Sequence, residues 1–207
     1  MRRRLKVSRR PRLWKPIEAK EERAYKIQAQ IIRLVMILSF LAICLMIFVD
    51  QTPWWVGIAG TAERYGFIYM AVKLGKSTIY MTGHEVLFPL ITSTSFALGI
   101  YTTITYLINA VAAFRPSMRR LVTDMHLFGL LGFFALVILG NYVLNHAFNG
   151  AIPMSLIGGG IADFTQNMGD VVYRVYAPYQ MYFTDRFFIF FSLEIINYVC
   201  SKHPWFE

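Results

Sequence analysis

Long apolar runs separated by shorter mixed segments set the pattern of this chain. Ile31 to Val49, IIRLVMILSFLAICLMIFV, is 19 residues with one charge, Arg33, close to its start. About 20 apolar residues cross a bilayer core, and an arginine near the end of such a run can extend its charge to the headgroups. Leu87 to Phe114 holds no Asp, Glu, Lys or Arg over 28 residues, enough to span with tilt. Leu127 to Ala147 is a third run, with Asn141, Asn145 and His146 gathered at its far end. A fourth, FFIFFSLEIINYVC from Phe187 to Cys200, is short, contains Glu194 and gains a turn or more from APYQMYFTDR upstream. The pattern predicts an all-α membrane protein, a four-transmembrane-helix bundle with spans over about 31–49, 87–114, 127–147 and 183–200.

Two long connections remain, residues 50–86 and 148–182. In the first, TPWWVGIA, YGFIYMAVKL and KSTIYMTG are short, aromatic and β-branched, and are separated by Gly or polar residues. Such segments predict a small antiparallel sheet in the first outer loop. The second connection carries Gly158-Gly159-Gly160, expected to be a hinge, and then an aromatic run. Tryptophan favours the membrane interface, so Trp54 and Trp55 are expected at the lipid boundary.

Charge changes the picture by where it falls. Hydrophobic residues make up 56% and charged residues 16% of the chain, against a charged share of about 25% in soluble domains. Residues 1–33 hold twelve Lys or Arg and three Glu, which accounts for the whole net charge of +9. The expectation is a basic cytoplasmic arm over residues 1–30, drawn to the anionic inner leaflet. Nucleic-acid binding is disfavoured, because no recognition module accompanies the charge. Arg115, Arg119 and Arg120 in the link between runs two and three face the same side, together with the tail 201–207. Both termini would then be cytoplasmic, in the plasma membrane, with partners reached through the outer loops and spans. The mitochondrial inner membrane is the alternative, since residues 1–17 are Arg-rich and free of acid. Against it, Pro11 and Pro16 interrupt the amphipathic helix of a presequence.

Candidate chemistry is sparse. His84, His126, His146 and His203 form no H-x-x-x-H pair, and Cys44 and Cys200 have no metal-site spacing. His84-Glu85 is expected to cap the second span. The three glycines lack the G-x-G-x-x-G spacing of a phosphate loop. A non-catalytic protein without cofactor or metal is therefore expected. Glu194 stands apart, because a carboxyl within a span costs a few kcal/mol and marks a functional candidate. Neutral Asn109, Asn141 and tyrosines are the partners available at matching depth, and the favoured expectation is a hydrogen bond to another helix, or a place near the interface if the fourth span is shorter. Ser95 and Gly99, with Gly129, Gly132 and Gly140, suit close helix approach.

Particular residues also carry a resemblance. Thr52-Pro53-Trp54-Trp55 follows the first run, Gly66-Phe67 lies within RYGFIY, AFRPSMRRL turns into the third run, and a tyrosine-rich segment feeds the phenylalanine-rich fourth. Over roughly residues 31–200 this resembles the claudin, peripheral-myelin-protein and stargazin superfamily, and its clarin-like branch in particular. That superfamily commonly carries a first-loop cysteine pair, which residues 50–86 lack. The resemblance implies a non-catalytic protein that organises membrane contacts or junctions, or an auxiliary subunit of a channel or receptor complex. It implies that Pro53, Trp54, Trp55, Gly66 and Phe67 shape the outer-loop fold. It assigns Arg115, Arg119 and Arg120 to topology and inner-leaflet contact. The alternative from another class is an accessory structural subunit of a large membrane complex, mitochondrial or other.

Overall fold

A computed structural model of the chain describes residues 15–61, 66–168 and 171–202. The first 14 residues of the basic arm and residues 203–207 of the tail therefore lie outside the described residues. The chain opens with α1 (Lys15–Cys44), and the next five residues, Leu45–Val49, continue it in a wider turn that ends where Asp50 N–H donates to Leu45 O at 2.8 Å. Next come β1 (Trp55–Thr61), β2 (Gly66–Val72), β3 (Thr78–Met81) and β4 (His84–Glu85). Then follow α2 (Pro89–Ala112), α3 (Arg119–Ala147), β5 (Gly158–Met168), β6 (Val171–Phe183) and α4 (Asp185–Lys202). Proline at the first position of α2 lacks an N–H that the helix start would leave unbonded anyway.

The fold is mixed α/β, which corrects the expectation of an all-α four-span bundle. Six strands form one antiparallel sheet in the order β4-β3-β2-β1-β6-β5. Only α1, α2 and α3 carry segments long and apolar enough to cross a membrane among the described residues: Arg23–Val49, Pro89–Ala112 and Leu121–Ala147. The proposed fourth span loses its upstream extension, because Val171–Phe183 is strand rather than helix. What remains is an 18-residue helix that holds Asp185, Arg186, Glu194 and Lys202.

The sheet draws on both connections, not on the first alone. β1 pairs with β2 on one side and with β6 on the other, so Trp55 lies opposite both Val72 and Phe183. Two further expectations fail here. Gly158-Gly159-Gly160 is no hinge but the first part of β5, and a Cβ on Gly160 would lie 3.2 to 3.4 Å from the Tyr179 ring on the adjoining strand. Glycine there lets that ring lie across its neighbour. His84-Glu85 forms β4 instead of capping α2.

The helices pack in a ring, α1 on α2, α2 on α3, α3 on α4 and α4 on α1. The sheet covers the end of this ring where α1 and α3 finish and α2 and α4 start. Gly140 of α3 lies beneath it, where a Cβ would come within 2.8 Å of Met70 Sδ and 3.5 Å of the Trp55 ring. Gly99 meets the backbone of Leu74 and Gly75 in the β2–β3 connection, and Ser95 Oγ donates to Lys73 O at 2.5 Å. These small residues thus serve helix-to-sheet approach, while Gly132 faces Leu98 of α2.

Polarity on the helices runs opposite to that of a water-soluble protein. Outward positions are large and apolar: Leu38 and Leu41 on α1, Ile104 on α2, Leu131 on α3, and Ile195 and Val199 on α4 are all exposed. Inward positions include Thr102, Asn109, His126, Glu194 and Asn197, all buried. In water an apolar outer face of this extent is unfavourable, whereas a bilayer favours it and drives polar groups inward.

Candidate functional site

Three helices bring their polar residues together in one seam. His126 lies on the second turn of α3, and its Nδ1 is 2.7 Å from Glu194 Oε2 on α4. Both side chains are almost fully buried, at 1% and 3% exposure. From α2, Tyr106 meets the His126 ring edge-on with centroids 4.9 Å apart. Glu194 Oε1 and His126 Nε2 are buried without a hydrogen-bond partner among the described residues. Gly129 leaves room beside them, for its Cβ would stand 3.8 Å from Glu194 Oε1 and 3.6 Å from Thr102 Oγ1.

The seam continues toward the helix ends away from the sheet. Asn109 Nδ2 donates to Asn197 Oδ1 at 2.6 Å, and Asn197 Nδ2 donates to Leu193 O at 2.8 Å. Further on, the hydroxyls of Thr123 and Ser201 are 2.7 Å apart. Glu194 is thus hydrogen-bonded to a neighbouring helix through a histidine that sequence reasoning passed over. His126 immediately precedes the 127–147 run and was lost at its edge. Because α3 begins at Arg119, that residue lies well inside a helix and one step from α4.

A second polar group joins the helices to the sheet. Lys73 is buried, and its ammonium donates to Met46 O and Asp50 O, carbonyls left open at the end of α1. Burial pushes its pKa down, opposed by the nearby Asp50 carboxylate. Asp50 receives Thr52 N–H at 2.9 Å and lies 2.7 Å from Arg186 Nε on α4. The Thr52 hydrogen bonds, and then the Arg186 charge, hold its carboxyl below the usual range.

The residues singled out earlier separate into three places. Trp54 and Trp55 are fully buried rather than set at the lipid boundary. Trp54 stacks on Phe190 and leans on Phe133, while Trp55 Nε1 donates to Leu156 O at 2.8 Å. Pro53 O accepts from the Thr184 hydroxyl at 2.5 Å, which ties the start of β1 to the start of α4. Gly66 opens β2 with a φ of +79°, a left-handed conformation that favours glycine. Phe67 beside it stacks on Tyr69 at 6.5 Å. Arg115 is exposed beyond the end of α2, and Arg119 begins α3 with Arg120 next, at the helix ends opposite the sheet. Asn109 and Glu194 lie in the same seam, each bonded to a different partner.

The outward face of the sheet is aromatic. Tyr80, Tyr176 and Tyr182 are exposed on it, and Tyr69 lies 6.2 Å from Tyr80. On β5 and β6, Arg174 Nε and Nη2 donate to the Asp163 carboxylate at 2.8 and 2.5 Å, with the guanidinium 5.5 Å from the Tyr176 ring. β6 pairs with β1 only over Tyr179–Phe183, so its first half, with exposed Val171, Val172 and Tyr173, is held by β5 alone. Compared with known proteins, the chain matches no family model, no curated protein and no solved structure.

Proposed function

We propose that the chain is a non-catalytic integral membrane protein that binds a second membrane protein through the outward face of its sheet. It acts as an auxiliary subunit of a channel or receptor complex, or organises membrane contacts or junctions. The β5–β6 hairpin carries this proposal. A two-stranded ribbon is marginally stable in water, yet this one runs past β1 with Val171, Val172, Tyr173 and Tyr176 exposed. Tyrosine and apolar clusters of that kind are what protein interfaces bury. The resemblance to claudin-like and clarin-like proteins supports the same role. In this proposal the plasma membrane holds the chain with the side away from the sheet, where α1 starts and α4 ends, toward the cytoplasm, and Arg115, Arg119 and Arg120 lie near the anionic inner leaflet.

A photoreactive residue at Tyr176 or Tyr182, activated in native membranes, is expected to give one discrete adduct. Replacing Val172 and Tyr173 by Asp should abolish it while the chain stays monodisperse. Diffuse labelling, unchanged by the hairpin substitutions, would contradict the proposal. The acid-free, Arg-rich residues 1–17 favour one alternative, an accessory structural subunit of a mitochondrial membrane complex. A C-terminally tagged chain found in the mitochondrial inner membrane would select it.

A further inference from the structure

Two cavities meet where α1 runs into the sheet, and they share Gln51, Lys73 and Lys76 as a common wall. The first, about 190 Å³, lies between α1 and α2 against Phe48, Phe96 and Ile100. Those three side chains belong to the exposed apolar belt, so this cavity opens toward lipid chains. The second, about 260 Å³, lies on the outward face of the sheet, where Ala71 and Thr78 face each other across β2 and β3. Tyr69 and Tyr80, the next opposed pair on that face, wall it on the side away from the helices. The apolar segment of α1 ends at Val49, so Gln51 and the two lysines stand at the level of lipid headgroups.

Charge along this path is ordered. No Asp or Glu is among the described residues lining either cavity. Lys76 is exposed and has no carboxylate partner among the described residues. The Lys73 ammonium is tied to Met46 O and Asp50 O, so it adds fixed positive charge behind the wall instead of a free donor. The Asp50 carboxylate is itself engaged by Arg186. An excess of positive charge therefore sits between an apolar groove and a water-facing pocket, a place suited to a phosphate that carries an alkyl tail. Past it the character reverses. The rings of Tyr69 and Tyr80 lie 6.2 Å apart, and the exposed carboxylate residue Glu85 stands opposite Tyr80 on β4. Aromatic faces with a carboxylate beside them attract a quaternary ammonium. We propose that the two cavities together bind one phospholipid of the phosphocholine class from the sheet-side leaflet. An acyl chain lies against Phe48, Phe96 and Ile100, the phosphate accepts from Lys76 and Gln51, and the quaternary ammonium rests on Tyr69 and Tyr80. The site depends on the helices facing lipid and is separate from the β5–β6 hairpin, so its failure would leave the partner proposal standing.

The test uses the full chain in maltoside micelles and three lipids with the same photoreactive acyl chain: phosphatidylcholine, phosphatidylglycerol and headgroup-free diacylglycerol. Phosphatidylcholine should label the segments around Phe48 and Phe96–Ile100 roughly tenfold more than either of the others. Unlabelled phosphatidylcholine should compete. Glycerophosphocholine, the same head without chains, should compete about a hundredfold less well, and equal competition would overturn a lipid as the occupant. Lys76→Glu should reduce labelling by phosphatidylcholine about tenfold. Tyr80→Ala should reduce it about fivefold while leaving the weaker phosphatidylglycerol signal unchanged. Both side chains are exposed, so neither change disturbs the core. Labelling by phosphatidylglycerol or diacylglycerol equal to that by phosphatidylcholine, or labelling spread evenly over the apolar belt, would overturn the proposal even where a variant fails to fold. Tyr80→Ala keeping the wild-type preference among the three lipids would overturn it as well.

Discussion

Trp54 stacks on Phe190 with ring centroids 4.6 Å apart, so the residue that leads into β1 is packed on the second turn of α4. Phe133 of α3 closes the cluster at 5.6 Å from the same tryptophan. Sheet and helices therefore share one core. Trp54→Ala should cost about 3–5 kcal/mol, the range for removing a buried aromatic. Thermal unfolding in detergent should show a large loss, and Trp54→Phe a smaller one, since a ring would still meet Phe190.

The pairing of β1 with β6 joins the two connections and can be trapped chemically. Ile58 lies opposite Gln180, and directly opposed residues of antiparallel strands have Cα atoms about 4.5–5.5 Å apart, within reach of a disulfide. In a chain lacking Cys44 and Cys200, Ile58→Cys with Gln180→Cys should cross-link under mild oxidation. Ile58→Cys with Tyr173→Cys, which are not opposed, should not. Gel mobility after cleavage between the connections reads the result.

Removing one partner of the buried His126–Glu194 pair should cost more than removing both. A lone buried charge or unpaired polar group destabilises by about 3–5 kcal/mol, whereas apolar replacement of a whole pair is often neutral. Glu194→Ala should thus lower stability markedly. The double variant Glu194→Leu, His126→Leu should recover much of the loss, a non-additivity that thermal unfolding of all four proteins measures.

Acid stability should report on Asp50. Its carboxyl is held below the usual value by Thr52 and Arg186, so it binds protons less readily in the folded state than in the unfolded one. Its contribution is present above the unfolded value of about 3.9 and is lost as pH falls through the lower folded value. Unfolding midpoints measured between about pH 2.5 and 6 should drop for the native chain, and Asp50→Asn should flatten that fall.

Long helices were legible in the sequence and long-range pairing was not. The run 87–114 matches α2, Pro89–Ala112, to within two residues at each end, because lipid contact demands uninterrupted apolarity. The starts of α1 and α3 were missed, since Lys15–Gln30 and Arg119–His126 are helical without being apolar enough to register. In β6 the alternation was present: Val175, Ala177 and Met181 turn inward, while Tyr176, Pro178, Gln180 and Tyr182 turn outward. High aromatic content masked that period of two and made the segment look like the approach to a helix. The tryptophan pair misled for a related reason. Preference for the interface is a tendency of the isolated side chain, and the space beneath the sheet above Gly140 outweighed it. No sequence signal places His126 beside Glu194, because their meeting depends on how α3 packs on α4.

The central claim is that the helices face lipid and the sheet faces water on one side of the membrane. Single cysteines at Leu38, Ile104, Leu131, Tyr80 and Tyr176, in a chain lacking Cys44 and Cys200 and reconstituted in vesicles, test it with a membrane-impermeant maleimide. Cysteines at 80 and 176 should react from the same side of the bilayer, and those at 38, 104 and 131 only after the membrane is dissolved and the protein denatured. Reaction of the three helix positions in intact vesicles, as fast as at 80 and 176, would contradict the account.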